Sequence, residues 1–133
     1  MSDDGVIQLG EQYVHLGLGA TVVPQPPFTG LEWYEGYVER TAADGVDGRL
    51  VSLYTFEESW DSWEVHPEGA ELVVCLDGEM TLHQEIDGVV SKVTVRAGEA
   101  VVNPPGAWHT ADIDAPARAL FITSGRGTQH RPR

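Results

Sequence analysis

Asp-Gly dipeptides at positions 44–45, 47–48, 77–78 and 87–88 cut this chain into short runs that never sustain a helical period. Asp-Gly suits a two-residue hairpin turn, whose central residues both take positive φ. The runs beside Asp87-Gly88 show the matching pattern: residues 79–86 alternate, and Val89, Ser91, Val93 and Val95 fall on one face of 89–96. Pro67-Glu68-Gly69 and Pro104-Pro105-Gly106 add further breaks. Strands are expected over 49–56, 63–66, 71–76, 79–86, 89–96, 99–103, 107–113 and 117–123. Residues 5–16 read as a first strand pair or one bent strand, and Pro24-Gln25-Pro26-Pro27 as a loop. The aromatic-rich 31–41 segment reads as another strand. Roughly ten short strands predict an all-β sandwich or barrel with little or no helix.

With 133 residues the chain is sized for a single domain, 1–133, that builds its own core. The core is expected over about 30–123, with flexible ends at 1–5 and 124–133; the second is an exposed tail rich in Arg and His. A lone cysteine, Cys75, rules out an intramolecular disulfide framework and fits a reducing compartment. Met1-Ser2-Asp3-Asp4 is acidic where a signal peptide would be basic, and no apolar run reaches the roughly 20 residues of a membrane helix. A cytoplasmic location is expected. The formal charge of −13 keeps the chain soluble and repels phosphate backbones, which argues against nucleic-acid and anionic-membrane partners.

Two spaced sets of residues carry the chemistry. His66-x4-Glu71-x6-Gly78 comes first, and Gly98-x5-Pro104-x-Gly106-x2-His109 follows. Glu64 lies two residues before His66, so the two share a strand face about 7 Å apart. The turn at 67–69 returns Glu71 on what reads as the neighbouring strand; His109 joins them if its strand faces theirs across a barrel. Two imidazoles and a carboxylate suit a borderline divalent ion such as Fe, Mn, Ni or Zn, and Glu64 adds a second carboxylate that neutralises the ion's charge.

These spacings resemble the two motifs of the cupin family, G-x5-H-x-H-x3-4-E-x6-G and G-x5-P-x-G-x2-H-x3-N. His66, Glu71 and Gly78 fill the first; Gly98, Pro104, Gly106 and His109 fill the second. The match runs directly over 64–113. The chain departs from the pattern at three places: Glu64 stands for the first His, Glu58 for the opening Gly, and Ile113 for the closing Asn. The resemblance implies a double-stranded β-helix, or jelly-roll barrel, commonly dimeric, with one divalent metal ion near its centre. Glu64, His66, Glu71 and His109 are the implied ligands, and Glu64 is also the candidate catalytic base.

Other side chains have plainer readings. Cys75 shares a face with Glu71 and reads foremost as a small buried hydrophobe. His15 and His83 read as structural or exposed, and Glu68 as a solvated turn residue. Trp33, Tyr34, Tyr37 and Tyr54 suit core or interface packing, with a pocket wall as the alternative. Trp63 and Trp108 alternate away from the ligand positions. The expected function is a small-molecule enzyme of dioxygenase or isomerase type; the rival is a non-catalytic small-molecule or metal-binding sensor module. Few Lys or Arg residues lie on the matched strands, which argues against a phosphorylated substrate.

Overall fold

The turn dipeptides act where the alternating runs meet. Asp87 and Gly88 both have positive φ, 52° and 78°, and join two antiparallel strands in register from Glu79↔Arg96 to Ile86↔Val89. Gly78 has φ +75°, and a Cβ there would stand 2.6 Å from the Pro116 carbonyl oxygen, so both conformation and space demand glycine. This is the closing glycine of the first motif.

The computed structural model describes residues 5–133. Of the expected flexible start, residues 1–4 lie outside the described residues. The strands are β1 (Val14–Gly17), β2 (Thr21–Pro24), β3 (Arg49–Phe56), β4 (Ser62–Val65), β5 (Glu71–Asp77), β6 (Glu79–Ile86), β7 (Val89–Arg96), β8 (Ala100–Asn103), β9 (Trp108–Asp112), β10 (Ala117–Thr123) and β11 (Gln129–Pro132). They form two antiparallel sheets, ordered β2-β1-β3-β10-β5-β8 and β11-β4-β9-β6-β7. From β3 to β11 the chain passes from one sheet to the other at each connection except the β6–β7 hairpin, as in a double-stranded β-helix. No helix among the described residues is long and apolar enough to cross a membrane.

Period-two burial builds the core between the sheets. Val73, Cys75, Ala119 and Phe121 face inward from one sheet, and Met80, Leu82, Val95 and Ala111 from the other. A second cluster packs Trp33, from the one α-helix among the described residues, against Tyr13 and Leu50.

Three expectations need correction. Residues 31–41 are not a strand: α1 spans Glu32–Arg40. Trp33, Tyr34, Tyr37 and Val38 recur at helical spacing, with Glu32 and Glu35 in the first turn and Arg40 in the last, as the helix dipole favours. The aromatic content drew the strand reading, whereas the rings pack on one another: Trp33 stacks on Tyr37 at 5.5 Å and meets Tyr13 edge-on at 5.3 Å. At the N-terminal end, β1 begins only at Val14, because residues 8–12 turn back on the Gln8 carbonyl. Lastly, the 124–133 segment carries a strand, β11, paired with β4. The Arg131 guanidinium lies over the rings of Trp63 (5.0 Å) and Trp108 (4.5 Å) and pairs with Glu85 at 2.9 Å. Its partners are distant in sequence, so composition alone read this segment as a tail.

Candidate metal centre

Strand register gathers the site. In one sheet Glu71 on β5 lies between Thr123 on β10 and Asn103 on β8. In the other, Glu64 on β4 lies between His130 on β11 and His109 on β9, and Gln84 on β6 is opposite His109. The two rows face each other across the barrel, and His66 reaches in from just beyond the end of β4. The spacing alone places Glu71 beside Glu64 and His109 across the barrel; the structure reverses both, with His109 the neighbour of Glu64 in one sheet and Glu71 in the opposite sheet.

Glu64, His66, Glu71 and His109 each present a donor atom within 4.8 Å of the others. His66 Nε2 lies 2.8 Å from Glu64 Oε1 and 3.1 Å from Glu71 Oε2. His109 Nε2 lies 3.3 Å from Glu71 Oε1 and 3.8 Å from Glu64 Oε1. Ligands about 2.1 Å from one ion would be separated by roughly 3.0 Å in an octahedron and 3.4 Å in a tetrahedron. The observed spacings bracket those values.

Both Nε2 atoms are buried and lack a hydrogen bond. The carboxylate oxygens are near enough for ion pairing but lie off the N–H direction. The opposite ring nitrogens explain this aim. His109 Nδ1 is 3.1 Å from the Ala107 carbonyl, which can only accept, so Nδ1 bears the proton. The Thr128 hydroxyl spends its one proton on the Gly125 carbonyl at 2.7 Å and accepts from His66 Nδ1 at 2.8 Å. In the neutral rings both Nε2 lone pairs therefore point into the cluster, the tautomer a metal ligand requires.

Glu71 is fixed at both oxygens. Asn103 Nδ2 donates to Oε1 at 3.0 Å, and Thr123 Oγ1 donates to Oε2 at 2.7 Å. Gln84 Nε2 in turn donates to Asn103 Oδ1 at 2.7 Å. Exposure separates the four donors: the side chains of His66, Glu71 and His109 are 6%, 3% and 1% exposed, whereas Glu64 is 27% exposed. Burial by itself would favour neutral forms here. For His66 the carboxylates of Glu64 and Glu71 outweigh burial and push the ring up to about 9. For Glu64 the His109 and His66 rings outweigh burial and hold its carboxyl well below the usual carboxylate range. Without an ion, then, the Glu64 carboxylate is ionised and the His66 ring holds a proton that a bound dication would have to displace.

The remaining singled-out residues lie around this centre. Trp60 packs against His109 with ring centroids 6.1 Å apart, and against Phe56 and Phe121. Trp63 and Trp108 lie outside, against Arg131. Cys75 is fully buried, its thiol raised by burial. His83 pairs with Asp112 at 2.7 Å, and His15 joins the Tyr37 hydroxyl (2.7 Å) and Asp44 (2.6 Å) where the α1 segment meets β1. Tyr34 and Tyr54 share a hydroxyl–hydroxyl hydrogen bond between α1 and the barrel. Thr128, His130, Asn103 and Thr123 were not singled out by sequence reasoning. The closing Asn of the second motif is absent, and nothing local marks an Asn six residues before His109 as a partner of Glu71.

The fold and its inward-facing donor set define a class: a double-stranded β-helix with a candidate divalent-metal centre between its sheets. The family profile described as Cupin domain matches residues 52–123, more than half of the chain. This chain belongs to the cupin family. An uncharacterised conserved protein with a double-stranded β-helix domain from Klebsiella pneumoniae aligns at TM-score 0.51 and 22% identity, covering 64% of this chain and 76% of that one. A mutant oxalate decarboxylase from Bacillus subtilis aligns at TM-score 0.52 and 19% identity, covering 63% of this chain and 23% of that one. A hydroquinone 1,2-dioxygenase from Sphingomonas sp. aligns at TM-score 0.48 and 18% identity over 56% of this chain. The alignment spans 59% of the dioxygenase chain. No curated protein matches the chain by sequence.

Proposed function

We propose that this protein is a metal-dependent enzyme acting on a small molecule, of dioxygenase or isomerase type. One divalent ion is held by Glu64, His66, Glu71 and His109. The observation that carries this reading is the pair of buried Nε2 atoms without hydrogen bonds, each fixed in the ligating tautomer and facing two carboxylates. A bound Fe, Mn, Ni or Zn ion would supply Lewis acidity toward a substrate oxygen and, for the redox-active metals, one-electron chemistry with dioxygen.

The protein's own groups divide the remaining work. His66, His109 and the doubly hydrogen-bonded Glu71 form the rigid part of the set. Glu64 is the accessible member, and its Oε1 faces the other three donors. It serves as the fourth ligand or, with Oε1 free of the ion, as the base that takes a substrate proton. Trp60 and Phe121 exclude water on the His109 side.

The second reading, a metal- or small-molecule-binding module without turnover, is favoured by the depth of His66, Glu71 and His109 and by a set of four protein donors, as in a closed structural site. A homodimer in the cytoplasm belongs to the same proposal; a concentration-independent monomer mass in sedimentation removes the dimer.

Elemental analysis of protein purified without chelator tests the centre. Near-stoichiometric Fe, Mn, Ni or Zn is expected. His109→Ala is expected to abolish it with far-UV circular dichroism unchanged. Glu64→Gln is expected to retain metal and lose turnover. No metal as isolated, and none taken up from added ions, overturns the reading.

A further inference from the structure

We infer that β11 and the residue before it are part of the metal centre: Thr128 and His130 are positioning residues that aim His66 and Glu64 at the ion. This inference rests on the metal centre proposed above, and it assigns function to a segment that composition presents as a tail.

The need arises at two of the four donors. Glu71 and His109 lie within strands, held by Asn103, Thr123 and the Ala107 carbonyl. His66 follows the last residue of β4, so strand pairing does not set its ring. Thr128, just before β11, does so. Its hydroxyl proton is committed to the Gly125 carbonyl at 2.7 Å, leaving the oxygen to accept from His66 Nδ1 at 2.8 Å. Glu64 stands where the family motif carries a histidine, and it has one more rotatable bond and a second oxygen to accommodate. His130, its register partner on β11, donates from Nε2 to Glu64 Oε2 at 3.0 Å. That contact occupies the outer oxygen and leaves Oε1 facing His66 and His109. One donor without strand support and one with a surplus oxygen are thus both held by the same short segment.

The segment is itself well anchored. Arg131 lies over Trp63 and Trp108 and pairs with Glu85. Arg133 donates to the Trp60 and Ala111 carbonyls, each at 3.0 Å, and pairs with Asp112. These contacts tie β11 to the strands beside Glu64 and His109. Partners that hold ligands in this way typically contribute about 10- to 100-fold to metal affinity.

The test uses the full chain, Co(II) as the probe, chelator competition for affinity, and the Co(II) visible absorption spectrum for geometry. Thr128→Val, which keeps the side chain's shape and removes its oxygen, is expected to weaken Co(II) binding roughly 10- to 100-fold and alter the spectrum. Thr128→Ser is expected to restore both. His130→Ala, a change at an exposed side chain, is expected to weaken binding roughly tenfold, with His130→Gln restoring it. Affinity and spectrum unchanged in both Thr128→Val and His130→Ala overturn the inference and leave the metal centre standing. Should Thr128→Val fail to fold, His130→Ala alone decides. A wild-type chain that binds none of Co(II), Zn(II), Fe(II), Mn(II) or Ni(II) overturns the metal reading, and this inference with it.

Discussion

His66 answers to two carboxylates that would share a bound ion with it. Without an ion, its ring lies between Glu64 and Glu71 and titrates near 9, above the ordinary imidazole value. A raised value in the folded state stabilises the fold fully below the unfolded value of about 6.5, and this contribution disappears as pH rises through about 9. Glu64 acts at the other end. Its lowered value contributes stability above the ordinary carboxylate range, lost as pH falls through and below it. Metal-free protein is therefore expected to melt highest between about pH 5 and 6.5 and to lose on the order of 3 kcal/mol toward pH 9. Metal binding runs the opposite way, because the ion requires the neutral ring. Affinity is expected to rise with pH up to about 9, with about one proton released per ion at pH 7. Calorimetric titration in buffers of different ionisation enthalpy measures that proton, and a buffer-independent heat would show that His66 is not a ligand.

Among the elements, α1 shows how residue preference and pattern compete. Its rings favour a strand by type, yet their positions at 33, 34, 37 and 38 describe one face of a helix. Gly36 sits inside that helix at ordinary helical φ. A Cβ there would stand 2.8 Å from Arg40 Nη1, so the guanidinium, which donates from Nε to Gln25 at 3.0 Å and lies over Trp33, must give way slightly. Gly36→Ala is expected to gain about 0.5–1 kcal/mol of helix propensity less the cost of shifting Arg40, a net rise below about 1 kcal/mol read as a shift in the urea midpoint, whereas in a strand the same change would bring no helix-propensity gain. For the barrel strands pattern and preference agree, which is why β5 to β10 were legible almost to the residue. β11 was not. Its four residues alternate no apolar side chains, and it is held by Arg131 and Arg133 reaching aromatic rings and carbonyls that no local window contains.

For the molecule as a whole, the proposed centre linking β4, β5 and β9 would tie the two sheets together through one ion. Saturating metal at a hundred times its dissociation constant is expected to stabilise the fold by about 2.7 kcal/mol, a rise of roughly 10 °C in melting temperature. Chelator should reverse it. A melting temperature indifferent to chelator and to added ion would remove the cross-link between the sheets. The net charge of −13 acts in the same direction, raising the local concentration of cations around the barrel.

The sequence by itself determined the strand-rich class, the turns that punctuate it and the donor types at 64, 66, 71 and 109, because alternation and turn chemistry act over a few residues. It also placed Glu64 and His66 on one face, since side-chain direction in a strand follows from spacing alone. Tertiary structure decided everything that depends on which strands become neighbours: His109 beside Glu64, Glu71 facing them from the other sheet, and Asn103 and Thr123 flanking Glu71. It alone brought Thr128 and His130 back to donors more than 60 residues away in sequence. Register across a sheet is fixed by packing of the whole barrel, and no stretch of local sequence carries that information.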